Sequence, residues 1–259
     1  MSMETESALA LDGIVNDGFF VFENYLSANI MQQVSGILET ATKSCTDPVP
    51  YAGFDRCHIH DLFVRHPEIL NLIDDPFLDD LLGHFLGESW VMYAATSSSV
   101  PPKAKNFASR IHVDCPRFVK DYPFNMGVIW TLSDYDSNNG CLEVLPGSHL
   151  TPNEPSIESF EKNRKQVTCK KGTMIVFNAR LYHRTTLNHS EGWRHAMTMN
   201  ACRSFMKQRI DWVRFIGAEK VSSYPPLIRR VLGFDTRVPA NMIEYSLPET
   251  ERLYKANQG

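Results

Sequence analysis

Three stretches of this chain carry side chains whose types and spacing suit metal chemistry. The first is His112-Val113-Asp114. On an extended backbone, positions i and i+2 point to the same side. An imidazole and a carboxylate then face one point, as a divalent cation requires. The second is His183, 71 residues further on, a few positions after an apolar stretch that begins at a Gly172 turn. A histidine arriving from a distant strand would complete a 2-His-1-carboxylate triad, which leaves open positions on Fe(II). The third is Arg194, eleven residues after His183, between Trp193 and His195. If 173–177 and 195–200 are adjacent strands, its guanidinium points into the same cavity, where its planar fork suits a carboxylate end-on. Each feature alone has a plainer reading. An HxD triplet arises readily by chance, a lone histidine is more often a satisfied core or surface residue, and a lone arginine is more often solvated.

Other candidates are weaker. His58-Ile59-His60 lies in an Asp- and Arg-rich stretch leading into a helix and reads as a capping or surface feature. His149 reads as a structural hydrogen-bonder, and His189 and His195 are near the site in sequence only. Ser148 is outside any GxSxG context, so a nucleophilic serine is not expected. The six cysteines stand at least twelve positions apart with no CxxC pair, which argues against a zinc knuckle or thioredoxin-type centre. Reduced thiols are expected.

The elements that must position these residues are legible in outline. Gly18-Phe19-Phe20-Val21-Phe22 reads as a short buried strand. A helix is predicted over 28–42, with Ile30, Met31, Val34, Ile37 and Leu38 at helical spacing after Ser27 as N-cap. Residues 61–86 read as helical with breaks at Pro67 and Pro76. Between about 90 and 203 the segments become short, apolar and bounded by turn residues. Strands are expected at 128–132, 141–145, 173–177 and 195–200, with Asn139-Gly140 suited to a hairpin turn. Such spacing predicts a β-sandwich or barrel.

Composition bounds the function. The 259 residues carry 26 Lys plus Arg against 30 Asp plus Glu, a formal net charge of −4, with 43% hydrophobic residues. That balance excludes a disordered chain and argues against a nucleic-acid binder. No apolar run approaches the roughly 18–20 residues of a membrane helix, so no membrane partner is expected. Glu4 and Glu6 precede the first basic residue, Lys43, so a cationic signal-peptide start is missing and a cytoplasmic location is expected. Residues 203–237 hold eight Lys or Arg against three acids. The plain reading is a solvated helix face. The sharper one places some of them, with Arg117 and Lys120, at a cavity mouth that favours an anionic small molecule.

Taken together, HxD, then Asn-Gly-Cys-Leu-Glu-Val-Leu-Pro-Gly-Ser-His over 139–149, then a distal His with Arg eleven later, resemble the phytanoyl-CoA dioxygenase family. The resemblance runs from roughly Arg110 to Arg203 and extends weakly to the 18–22 strand and the 62–68 stretch. It implies a mainly β fold with flanking helices, built on a double-stranded β-helix (a cupin-like jelly roll), as a single domain over 1–259. Within it the helical part would cover about 1–90, the β-helix core about 91–203 and a C-terminal extension 204–259. It further implies an Fe(II)- and 2-oxoglutarate-dependent oxygenase using O2, with ascorbate as an aid in vitro.

By that resemblance His112, Asp114 and His183 are the iron ligands. Arg194 partners the distal carboxylate of 2-oxoglutarate, Thr185 supplies a hydroxyl to the cosubstrate, and Trp130 lines its pocket. A basic cosubstrate contact from the N-terminal region has no clear counterpart; Arg56 and His58 are nearby. Val113 stands where relatives often carry Gln or Arg. A carboxylate at 114 favours hydroxylation over halogenation, since related halogenases carry Gly or Ala there. Desaturation, ring formation and epimerisation stay open. Two rivals also remain: a non-catalytic β-helix binder with a vestigial site, and a cupin-like Zn2+ or Mn2+ hydrolase or isomerase. Substrate identity and oligomeric state are not encoded in any motif.

Overall fold

The computed structural model of the protein describes residues 3–43 and 58–252. Two antiparallel sheets form its centre. The larger has strand order β1-β6-β3-β8-β2, from β1 (Phe19–Phe22), β2 (Val91–Ser97), β3 (Asn125–Thr131), β6 (Met174–Asn178) and β8 (Ala196–Cys202). The smaller has order β5-β4-β7, from β4 (Leu142–Val144), β5 (Lys165–Val167) and β7 (His183–Thr185). The chain crosses repeatedly between the sheets, as in a jelly roll.

Strict alternation along the large sheet gives it two apolar faces. One face carries Met126, Val128, Trp130, Met174, Val176, Met197 and Met199, and packs against the helices. These are led by α1 (Met3–Asn16), α2 (Ala28–Lys43), α3 (Leu62–Arg65) and α4 (Pro76–Leu86). The other face carries Ile129, Ile175 and Phe177 and meets Leu142, Val144 and Val167 of the small sheet. The candidate site lies on this second, inter-sheet side.

The N-terminal expectations hold closely. α2 begins after Ser27, whose hydroxyl accepts from the Ile30 N–H. Pro67 starts a 3-10 turn and Pro76 opens α4, where Asp75 caps the Phe77 and Leu78 N–H groups. Two expectations about the sheets do not. Segments 173–177 and 195–200 are not neighbours: β3 lies between β6 and β8 and pairs with both. Asn139-Gly140 does not close a hairpin, since β4 pairs with β5 and β7. The turn instead carries the chain from the large sheet to the small one. Asn139 fixes it by accepting from the Asp136 N–H and donating to the Asp134 carbonyl, and Gly140 supplies the positive φ.

After β8, short helices α6 (Trp212–Ile216), α7 (Ala218–Ser222) and α8 (Pro226–Val231) pack back on the helical layer. Four of the arginines in the 203–237 stretch, read as a solvated helix face with a cavity mouth as the sharper alternative, are engaged there. Arg203 donates to the carbonyls of Pro123, Leu86 and Phe85 and stacks over Tyr122. Arg230 pairs with Asp79 and donates to the Trp90 carbonyl. Arg229 pairs with Asp235, and Arg237 donates to the Phe234 carbonyl. These four fasten the C-terminal segment. The buried Cys115, Cys141, Cys169 and Cys202 are free thiols; Cys45, Cys57 and the candidate Arg56 lie outside the described residues. Among the described residues no helix is long and apolar enough to cross a membrane.

Candidate active site

His112 is not part of a regular strand. It forms an isolated antiparallel bridge with His183, each donating its N–H to the other's carbonyl, at 3.0 and 2.9 Å. The HxD segment thus adds one rung beyond β7, and the two histidines sit directly opposite each other. Directly paired side chains lie close, and here the ring centroids are 4.3 Å apart. Alternation persists through the triplet. Ile111 and Val113 pack toward Leu145, Phe160 and Tyr182, leaving His112 and Asp114 on the other side. Val113 is therefore an apolar peg that seats the loop.

The donor atoms of His112, Asp114 and His183 all lie within 4.8 Å of one another. Asp114 Oδ1 stands 3.5 Å from His112 Nε2 and 3.9 Å from His183 Nε2. Each Nδ1 faces a backbone carbonyl, Arg110 O at 2.8 Å and Leu181 O at 2.9 Å. A carbonyl only accepts, so each Nδ1 carries the proton and each Nε2 presents its lone pair to the shared point. Burial, reinforced by the neighbouring His112, pushes the His183 pKa down to about 4 despite the pull of Asp114 and of the Leu181 carbonyl. Partial desolvation by the surrounding groups opposes ionisation of Asp114. The neighbouring imidazoles of His112 and His183 and the Asn200 amide outweigh it and hold the carboxyl below its usual range. Two neutral imidazoles and one carboxylate are the donor set that Fe(II) takes, with positions left over.

Arg194 is 2% exposed. Its backbone bridges Val100, and one terminal nitrogen donates to Ser98 O at 3.0 Å and to the Tyr135 hydroxyl at 2.5 Å. Among the described residues it has no ion-pair partner, and its Nε lacks a hydrogen-bond acceptor. A buried, permanently charged group without a counter-charge fits an anionic ligand. Burial pushes the Tyr135 phenol up to about 12 against the pull of Arg194, so it stays protonated and able to donate.

Thr185 is buried and shares the His183 face of β7, two residues on. Trp130 is a correction. It lies on the helix-facing side of β3 with Val128 and Met197, across the sheet from Phe177, whose ring stands edge-on to His183 at 5.1 Å. Period-two alternation excludes it from the inter-sheet cavity. Ser148 Oγ accepts from the Tyr182 N–H and His149 Nε2 bonds Val15 O, both structural roles as expected. Sequence reasoning missed Tyr135, Phe177 and Asn200. For Asn200 a signal existed, a polar residue on the inward series 196, 198, 200 of a buried strand. Tyr135 carried none.

The family profile described as Phytanoyl-CoA dioxygenase (PhyH) matches residues 15–196. The chain belongs to this family. It is accordingly a 2-oxoglutarate-dependent dioxygenase that works with Fe(II). The protein Rv1501 of Mycobacterium tuberculosis, described as uncharacterized, is 30% identical over 197 residues, 76% of this chain and 71% of that one. The peroxisomal phytanoyl-CoA dioxygenase of Rattus norvegicus is 25% identical over 218 residues, 70% and 64% of the two chains. Solved structures share the fold, two of them with cosubstrate bound. EctD from S. alaskensis, with 2-oxoglutarate and 5-hydroxyectoine, has a TM-score of 0.64 at 20% identity, covering 78% of this chain and 76% of that one. The epimerase SnoN, in complex with Fe3+, alpha ketoglutarate and nogalamycin RO, has 0.65 at 15%, covering 82% and 90%.

Proposed function

We propose that the protein hydroxylates an unactivated C–H of a small organic molecule, with His112, Asp114 and His183 holding Fe(II). The observation that carries this reading is the convergence of two Nε2 lone pairs and one carboxylate oxygen on a single point. Bound there, Fe(II) supplies O2 activation that couples oxidative decarboxylation of 2-oxoglutarate to substrate oxidation, one oxygen atom entering succinate and the other the product hydroxyl.

The protein's own groups then hold and orient. The carbonyls of Arg110 and Leu181 fix the tautomer and tilt of the two imidazoles. Arg194 takes the distal carboxylate of 2-oxoglutarate, with the Tyr135 hydroxyl beside it and Thr185 on the same side as His183. Ala94, Thr96, Thr198 and Asn200 form a partly exposed strip, paired Ala94 with Asn200 and Thr96 with Thr198. This strip joins Asp114 through Asn200 and is the surface on which the substrate rests. It bears hydroxyls and an amide and no formal charge. An uncharged, hydrogen-bonding substrate fits it better than an anion does.

The test is succinate release from 2-oxoglutarate under air with Fe(II). Wild type forms succinate, while His112→Ala and His183→Ala form none. Either variant retaining wild-type turnover, or substrate conversion that persists without 2-oxoglutarate, overturns the assignment.

A further inference from the structure

Asp114 has two oxygens, and the site treats them differently. Oδ1 faces His112 and His183. Oδ2 accepts from Asn200 Nδ2 at 3.3 Å. Asn200 Oδ1 in turn accepts from Asn125 Nδ2 at 2.7 Å. A carboxylate can only accept, so the orientation of both amides follows from it. Asn125 is 3% exposed and, among the described residues, its Oδ1 has no partner and its side chain makes one hydrogen bond, the one that braces Asn200.

The sheet is built to allow this. Asn200 on β8 pairs with Gly127 on β3, and Asn125 with Cys202. The two asparagines are therefore diagonal neighbours, a distance that longer side chains can span. The residue opposite Asn200 is a glycine: any Cβ at 127 would meet the Phe177 ring at 2.1 Å. That absence of a side chain makes room for the Phe177 ring beside His183.

We propose that Asn200, braced by Asn125, is a positioning residue that reserves Oδ2 of Asp114 and so presents the carboxylate to the metal through Oδ1 alone. The inference rests on the triad reading above. Its consequence is coordination number. A carboxylate binding through both oxygens would consume a position that 2-oxoglutarate and O2 need; an amide that holds the second oxygen opposes the rotation that would bring it to the metal. Asn200 thus keeps three positions open, and Asn125 keeps Asn200 from rotating toward solvent.

The test uses Mn(II) as probe in the absence of substrate and turnover. Mn(II) affinity is measured by titration of the free-ion electron paramagnetic resonance signal, and open positions by water-proton relaxation of the Mn(II)-loaded protein. Asn200→Ala is expected to weaken Mn(II) about 10- to 100-fold and to lower the number of exchangeable waters. Asn125→Ala, remote from the metal, should show both changes at smaller size. It also keeps the test decisive should Asn200→Ala fail to fold. If Asn125→Ala and any folded Asn200→Ala protein match wild type in affinity and water number, the proposal is overturned. His183→Ala separates the two readings: if it binds Mn(II) as wild type does, the triad assignment itself fails. If it loses Mn(II) while both asparagine variants are unchanged, only the role of Asn200 fails.

Discussion

At the scale of single residues, Arg194 makes the sharpest claim. It spends a buried positive charge on a phenol, a carbonyl and an empty direction at Nε, a costly arrangement without an anion. Arg194→Lys keeps the charge and loses the fork. Arg194→Ala loses both. Charge-assisted hydrogen bonds contribute roughly 1.5–3 kcal/mol each. We therefore expect the KM for 2-oxoglutarate to rise about a hundredfold in Arg194→Ala and less in Arg194→Lys, with Fe(II) affinity changed by less than about threefold. Initial-rate kinetics against each ligand check this. Equal losses for both ligands would mean that Arg194 holds the cavity together and does not hold the cosubstrate.

The legibility of this site also divides by residue. His112, Asp114, His183 and Arg194 stood out only together, as an ordered set of offsets that resembles the phytanoyl-CoA dioxygenase family, and the structure brings the first three within 4.8 Å of one another. Thr185 came from the family resemblance alone, two positions after the distal histidine. Trp130 was misplaced by the same style of offset. Eighteen residues of loop and strand separate it from His112, and a count along the chain says nothing about which side of β3 it faces. The alternation of Val128 and Trp130 against Ile129 decides that, and it is visible only once it is known which face meets the helices.

At the scale of elements, the question is what holds a three-residue strand such as β7 in register. Arg184, between His183 and Thr185, points the other way. It reaches Glu143 at 2.7 Å and Glu161 on α5 (Ile157–Asn163) at 2.6 Å, with its guanidinium over Phe160. Glu143, 1% exposed, also accepts from Arg164 at 2.8 Å and Gln166 at 3.1 Å. This explains why residues 139–149 carry a distinctive pattern without any metal ligand. Asn139 and Gly140 turn the chain into the small sheet, Glu143 anchors β7, and Ser148 holds Tyr182. Removing one partner of a buried pair costs about 3–5 kcal/mol, less where the arginines keep some solvent. Glu143→Ala should lower stability by about 2–4 kcal/mol, and the melting temperature by roughly 5–15 °C for a chain of this size. Calorimetry checks it. An unchanged melting temperature would mean that strand pairing alone sets β7. β1, β3, β4, β6 and β8 were legible as apolar runs, whereas β2, β5 and β7 were not predicted, and neither was the strand order: alternation within β6 and β8 carries no information about β3 lying between them.

At the scale of the whole molecule, the buried histidines set the response to acid. Burial lowers the pKa of His149, His183 and His195, that of His183 to about 4. In the unfolded chain each titrates near 6.5. Between those values the unfolded state binds more protons than the folded one, so stability is full above about pH 6.5 and falls as the pH drops toward 4. Asp114 and Glu143, held below their usual range, extend the loss to lower pH, since protonating them removes their native partners. His149 shows the cause most simply. Its Nε2 serves the Val15 carbonyl, and its buried Nδ1 has no hydrogen-bond partner among the described residues and lies beside Gly18, where an added Cβ would come within 2.6 Å. A second proton on that ring has no partner. We expect the melting temperature of the metal-free protein to fall steadily from pH 7 to pH 5, and His149→Gln, which keeps a donor for Val15, to flatten that slope. Melting curves taken across the range decide it: a wild-type slope near zero would mean that these rings reach water as easily folded as unfolded, and an unchanged slope in His149→Gln would move the acid response to the other two histidines.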